Sequence, residues 1–397
     1  MQVPVRLVAA LRPNVHPAVL LAVGVATVVF TASPFLIDDV AEHYELGLTA
    51  SSLISTGQLG GFGLASMAAG RVLAGRRHVF VTSSLLLVVL NLASAAVPPF
   101  WLLVLLRSLA GLAMGVTGWL AWALVFGDDD GTSDVSMMGP LVGIIAAPMI
   151  APVVAIGGIA ATYLLLAAVA LLPPLAAGML SAPRLPPAAV GDPDSGGGGD
   201  RAGSGPAGPV RIRHRPVRAA MVLLLAMALF SLGGSSVWMF TAVLGEERGL
   251  SLTALAWAYS GNAVAGVIAS RWPFDRGPAG AWMASTGVLA VIVSTQDVAL
   301  LQLMAMVLWG FCFWMGMPGA FRLLAAKSRY PAERAGDAQG FLSGGRVIGP
   351  FVGGLTIEHF GAPSLGYLAA AIMIGSGLLT LYVARPEPTS TAAQVGR

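Results

Sequence analysis

The chain has 397 residues, of which 56% are hydrophobic and only 10% charged, with 22 Lys and Arg against 19 Asp and Glu. No water-soluble domain of this size carries a mean hydropathy of +0.80, and the single cysteine, Cys312, excludes an internal disulfide or a cysteine-based metal cluster. The isoelectric point near 9.3 admits nucleic acid as a partner unless the basic residues have another reason to be where they are.

Runs of about 20 apolar residues are long enough to cross a bilayer core. They fall at 17–38, 49–70, 79–97, 99–126, 135–155 and 158–179, and again at 219–244, 252–271, 280–295, 297–320, 338–357 and 362–384. The first run follows Arg6 and Arg12 but is too long for a secretory signal and lacks a clear small-residue cleavage site, so it reads as a retained helix. The fold class expected is therefore all-α and integral to the membrane, with twelve transmembrane helices.

Positive residues collect in cytoplasmic loops. With the N terminus placed in the cytoplasm, Arg71, Arg76, Arg77, Arg184, Arg211, Arg213, Arg215, Arg218, Arg271, Arg276, Arg322, Lys327 and Arg385 all fall on that side, and Arg248 alone falls outside. Asp38, Asp39, Glu42, Glu45, Glu246, Glu247, Asp297 and Glu358 gather at the outer face, and Arg107 and Arg346 are left within the membrane. The basic balance is thus a topology signal, which removes the nucleic-acid reading and leaves both termini cytoplasmic. A polar stretch at 181–218 with four consecutive glycines reads as a flexible cytoplasmic linker between six-helix bundles at 1–180 and 219–397.

The two bundles repeat each other. Leu48, Thr49, Ala50, Gly57, Gln58 and Ser66 recur as Leu252, Thr253, Ala254, Gly261, Asn262 and Ser270, displaced by 204. Arg107, Gly115 and Trp119 recur as Gln302, Gly310 and Trp314, displaced by 195, and Gly139-Pro140-x-x-Gly143 recurs as Gly349-Pro350-x-x-Gly353, displaced by 210. Such repeats place a binding site at the bundle interface near mid-membrane, with the halves rocking about it. Glycines four apart lie on one helix face and let backbones approach closely. Pro140 and Pro350 interrupt the hydrogen-bond ladder, creating a bend at which the fifth and eleventh helices can pivot.

These patterns resemble the major facilitator superfamily over essentially the whole chain. The fifth-helix Gly139-Pro140-x-x-Gly143 resembles the signature of antiporter members, and Arg107-x-x-x-Gly111-x-x-x-Gly115 resembles the superfamily's intramembrane arginine motif. The loop Gly70-Arg71-Val72-Leu73-Ala74-Gly75-Arg76-Arg77 resembles its basic loop signature, in a compressed form without the usual aspartate. Ser33-Pro34-Phe35-Leu36 leading to Leu48 resembles the start of bacterial proton-driven exporters. The resemblance implies a proton-coupled exporter of a small organic molecule in a bacterial cytoplasmic membrane, acting as a monomer. An uptake carrier for an organic anion and a non-transporting membrane sensor stay open beside it.

A guanidinium at mid-membrane must face a cavity or a partner. Arg107 therefore suits an anionic cargo group, the tuning of a nearby carboxylate, or a clamp onto carbonyls of the first helix. Asp38 and Asp39, at the outer end of the first helix, are the carboxylates that could exchange a proton, since partial shielding from water brings titration toward neutrality. Arg346, counted eight residues into the eleventh helix, suits cargo binding. Gln58, Asn262 and Gln302 can orient a polar ligand or bond between helices, and Trp119, Trp122, Trp238, Trp314 and Tyr259 can form an aromatic lining. No phosphate-binding Gly-Lys-Ser/Thr loop, zinc-helix motif or nucleophile elbow occurs, so neither an enzyme nor a cofactor or metal is expected.

Overall fold

The computed structural model describes residues 15–73, 77–125, 129–178, 215–272, 275–329 and 331–385, and among these all regular structure is helical. The first half contains α1 (Pro17–His43), the short α2 (Leu48–Ser51), α3 (Leu53–Val72), α4 (Arg77–Ala95), α5 (Phe100–Val125), α6 (Asp129–Ala170) and α7 (Leu172–Gly178). The second contains α8 (Arg218–Trp238), α9 (Thr241–Glu246), α10 (Leu252–Ser270), α11 (Ala279–Thr295), α12 (Ala299–Ala326), α13 (Pro331–Phe360) and α14 (Ala362–Ala384).

Eight of these helices are long and apolar enough to cross a membrane by themselves. The helix α6 covers two crossings, because Gly158 at φ 54° and ψ −145° breaks it into the expected fifth and sixth spans. A side chain at that φ is strained, so glycine is what permits so tight a reversal. The repeat uses the same device, with Gly361 at φ 81° separating α13 from α14. The 17-residue α11 and the glycine-rich α3 and α13 complete twelve crossings.

Lipid supplies no hydrophobic drive between helices, so close backbone packing must hold them together. A Cβ placed on Gly111 of α5 would meet the Gln58 carbonyl oxygen of α3 at 2.0 Å, and one on Gly61 would meet the Ser108 oxygen at 2.1 Å. The repeat pair α10 and α12 has the same contact, with a Cβ on Gly310 falling 2.1 Å from the Asn262 oxygen. In α13 a Cβ on Gly345 would meet the Ala228 oxygen of α8 at 2.1 Å.

The halves meet along α3 with α13 and α6 with α10. Ser260 donates to the Ile144 oxygen across this boundary at 2.6 Å. They close on each other at the end carrying the acidic residues. There α9 packs on α1 and α2 on α13, Phe35 stacks against Tyr259 with centroids 5.1 Å apart, and the Thr49 hydroxyl donates to the Glu358 carboxylate.

Two expectations of position change. Because α1 runs to His43 and not only to 38, Asp38 and Asp39 lie within its last turns and not at its very end. Because α13 begins at Pro331 and not at 338, Arg346 lies about 22 Å along it, about two turns farther from the helix start than the apolar run suggested. The expected linker at 181–218 falls outside the described residues up to 214, and Arg218 opens α8.

Candidate functional site

A cavity of about 370 Å³ lies between the halves. The first half contributes Thr27, Phe30, Thr31 and Ser33 of α1 with Leu59 and Phe62 of α3; the second contributes the larger part, from α8, α10, α12, α13 and α14. Its walls are aromatic. Phe30 meets Phe62 edge-on at 5.2 Å, Trp238 meets Tyr259 at 4.8 Å and Trp309 at 6.0 Å, and Phe230 stacks on Phe313 at 5.9 Å. Ser231, Ser235, Ser343 and Asn262 add small polar groups.

Arg346 is the one charged side chain in this wall, and no acidic residue joins it among the lining residues. It is exposed to the cavity although it sits mid-helix. A cavity with aromatic faces, hydroxyls and one guanidinium matches a flat or amphipathic guest that carries an acceptor or an anionic group. Asp337 does not approach Arg346; it pairs with Arg334 one turn earlier on α13.

Trp238, Trp314, Asn262, Tyr259 and Arg346 are thus brought together in one wall. Asn262 also donates to the Met306 oxygen at 2.7 Å, which fixes its amide. Trp119 packs instead with Ala18, Ala22 and Phe80 away from the cavity, and Trp122 is exposed on the outside of the bundle. Gln302 is fully buried and belongs to a clamp: its Oε1 accepts from Arg248 at 3.0 Å and its Nε2 donates to the Thr241 oxygen at 3.3 Å. Arg248 further donates to the Val293 and Ser294 oxygens at 2.6 and 2.7 Å, tying the end of α9 to the α11–α12 turn.

Arg107 does not reach this cavity. Its side chain is 0% exposed inside the first half, where Nη1 donates to Asn91 Oδ1 at 2.9 Å and the guanidinium lies 4.6 Å from the Tyr163 ring centroid. Gln58 lines the same small interior chamber.

Asp38 is exposed and Asp39 partly buried at the acidic end of α1. Across the closure stands Glu246 of α9, half-buried, whose carboxyl is pushed up to about 6, first by loss of water and then by repulsion from Asp38 and Asp39. The three acids, from both halves, are crowded together where the halves meet.

Of the expected pivots, Gly143 is in contact distance of Ala263 in the other half, at 3.2 Å from a built Cβ, while Pro140 and Pro350 are buried within α6 and α13. A Cβ on Gly349 would collide with the Ser235 hydroxyl at 1.9 Å and one on Gly353 would meet the Ser236 oxygen at 2.4 Å. In the basic loop, Arg77 donates to the Ala177 oxygen at 2.9 Å. Gly70 and Arg71 belong to the end of α3, and Arg76 lies outside the described residues.

Sequence reasoning passed over Phe30, Phe62, Phe230, Trp309 and Phe313, since an aromatic residue in an apolar span gives no sign of which way it faces. It also passed over Asn91, although an amide midway along an apolar helix was a legible signal.

The sequence profile of the Major Facilitator Superfamily matches residues 18–345. Among solved structures, a POT family transporter in complex with a thioalcohol-conjugated peptide is similar at TM-score 0.68 and 12% identity, over 93% of this chain and 96% of that one. A bacterial homolog of the human lysosomal transporter Spinster, inward-facing and occupied, is similar at TM-score 0.64 and 14% identity, over 96% and 95%. A mutant of the nucleoside transporter NupG is similar at TM-score 0.66 and 13% identity, over 93% and 99%. The curated proteins gave no match. The chain belongs to the major facilitator superfamily and is a membrane transporter, not an enzyme.

Proposed function

We propose that this major facilitator superfamily member is a proton-coupled exporter of a small, aromatic or amphipathic organic molecule bearing a carboxylate or similar anionic group. The observation that carries the reading is the cavity between the halves, with Arg346 as its single charge amid Trp238, Trp309, Trp314 and Tyr259. A cationic cargo would meet a guanidinium with no carboxylate to offset it, at a cost in a low-dielectric wall. The similar structures carry cargoes as different as a peptide conjugate and, by its name, a nucleoside. Their diversity fits a small organic cargo and leaves its class to the chemistry of the wall.

Proton coupling rests on Asp38, Asp39 and Glu246. Closing the acidic end crowds these carboxylates and favours their protonated form, and exchange requires the proton taken from outside to leave toward the cytoplasm before that end reopens. The arginine sorting supports an acidic end that faces outside and termini in the cytoplasm, and the resemblance to bacterial exporters supports a monomer in a bacterial cytoplasmic membrane. Protons taken from the more acidic outside would then close the outer end behind departing cargo, which is the order an exporter requires. Pivoting falls to Gly139, Pro140 and Gly143 in α6 and to Gly349, Pro350 and Gly353 in α13; Gly143 reaches Ala263 of the other half, while Gly349 and Gly353 pack within their own half.

Proteoliposomes with an imposed pH gradient test this. Aromatic carboxylates should move against their gradient when the acidic end faces the acidic compartment, and the corresponding amides should not. Gradient-independent movement of the carboxylates would replace exchange by an anion uptake carrier. No flux across the panel would remove the transport reading of this cavity.

A further inference from the structure

Most hydroxyl groups around the large cavity have already given their protons to backbone oxygens. Ser231 of α8 lines the cavity and donates to the Leu342 oxygen of α13 at 2.9 Å. Ser235, one turn farther along α8, donates to the Leu232 oxygen at 3.2 Å. On α1, Thr27 and Thr31 donate to the Val23 and Thr27 oxygens at 3.1 and 2.8 Å. Asn262 spends one N–H on the Met306 oxygen at 2.7 Å and keeps its Oδ1.

A hydroxyl that has given its proton away still has oxygen lone pairs. These positions therefore present acceptors to a guest. Turning the Ser231 proton toward a ligand would give up a bond between α8 and α13, so its polarity is held in place. A carboxylate brings acceptors only. It satisfies the Arg346 guanidinium and leaves the serine and threonine oxygens facing nothing that donates.

Two of those oxygens stand at the level of Arg346. Leu342, which receives the Ser231 proton, is one turn before Arg346 on α13. Gly349, whose built Cβ would lie 1.9 Å from Ser235 Oγ, is about one turn after it. Trp238 lies about 10 Å farther along α8 than Ser231, with Tyr259 and Trp309 beside it.

We propose that the cargo carries a hydroxyl next to its carboxylate, and that Ser231 and Ser235 are the acceptors that select it, a reading that rests on the carboxylate assigned to Arg346. A hydroxy acid with an aromatic tail then satisfies the guanidinium and the serine oxygens at one level and reaches the rings of Trp238 and Trp309 with the tail. The same acid without its hydroxyl leaves both oxygens against a hydrocarbon chain. A site built to bond a ligand hydroxyl rejects the analogue that lacks it.

Phenyllactate, its O-methyl ether and phenylpropanoate test this, each titrated by calorimetry against the purified full chain in detergent. The three share ring and carboxylate; their substituent donates, only accepts, or is absent. Phenyllactate should bind about tenfold tighter than either of the others, and Ser231→Ala combined with Ser235→Ala should erase that preference. Arg346→Gln should weaken all three alike. Equal binding of phenyllactate and phenylpropanoate would overturn the proposal while leaving a carboxylate cargo standing. An ether that binds as tightly as phenyllactate would overturn it too, as would a preference that survives in the double serine variant. Affinities untouched by Arg346→Gln, or no binding of any of the three, would remove the aromatic carboxylate itself and the proposal with it.

Discussion

Glu246 gives the sharpest prediction, because its displaced titration ties proton binding to closure of one end. With the acidic end closed, its carboxyl is raised from 4.5 to about 6, by burial first and by Asp38 and Asp39 of the opposite half second. The difference corresponds to about 2 kcal/mol between protonation states. The group is only half-buried and water screens it, so about 1 kcal/mol is the effective value. The sign follows from linkage. Below about pH 4.5 the carboxyl is protonated whether the end is open or closed, and closure keeps its full stability. As pH rises from 4.5 to 6, the solvated carboxyl of the open end ionises first and closure is weakened, by about fivefold in the equilibrium. Above 6 the effect is complete. Spin labels on cysteines at exposed positions 43 and 253, in a Cys312→Ala background, report the distance across the closure. The long-distance population should grow between pH 4.5 and 6, and Glu246→Gln should remove most of that growth. The same midpoint and amplitude in Glu246→Gln would refute the reasoning.

Three further outcomes are expected. Arg346→Gln should raise KM for a carboxylated cargo roughly tenfold or more, the loss of a charge-assisted hydrogen bond of about 1.5–3 kcal/mol, with partial rescue by Arg346→Lys, read in initial uptake rates. Gly111→Val should destabilise the first half by about 1–3 kcal/mol through overpacking, since its Cβ would stand 2.0 Å from the Gln58 oxygen. Gly344→Ala, with nothing within 4 Å of its built Cβ, should be neutral; denaturant titrations of both variants check the pair. Arg248→Met should free the α11–α12 turn by removing bonds to Val293, Ser294 and Gln302, at a cost of about 2 kcal/mol, seen as faster hydrogen exchange at 293–302.

The spans were legible because hydropathy reports burial in lipid directly, and the repeat was legible because both halves need the same small residues at the same helix crossings. Facing directions were not. Trp119 and Trp314 are repeat partners, yet one packs outside the cavity and the other lines it, since hydropathy is blind to whether an apolar side chain meets lipid, a neighbour helix or a void. Arg346 was visible as a charge within a span, but its place along the helix depended on where α13 begins, and Pro331 extends that helix well before the apolar run. Glu246 looked like an ordinary outer-face acid. Only the approach of α1 to α9, a contact between distant segments, gives it neighbours that repel it.

The repeat also explains why the two halves differ in charge. At corresponding positions, the second half has Gln302 and the first has Arg107. In the second half the guanidinium arrives from outside, on Arg248, and finds three oxygens: two carbonyls and the Gln302 amide. In the first half it is carried by the helix itself and finds Asn91 Oδ1 and the Tyr163 side chain. The amide pair shows the same asymmetry, for Asn262 spends its donor on Met306 and faces the large cavity, while Gln58 keeps its donor unpaired and faces the small interior chamber. With the guanidinium on the helix in only one copy, the other copy is left free to shape a cargo wall. The first copy holds its guanidinium buried against Asn91 and Tyr163, and neither Asp38 nor Asp39 lines the chamber beside it. Arg346 and Arg107 thus stand in different halves and line different spaces, so the effects of their substitutions should be additive.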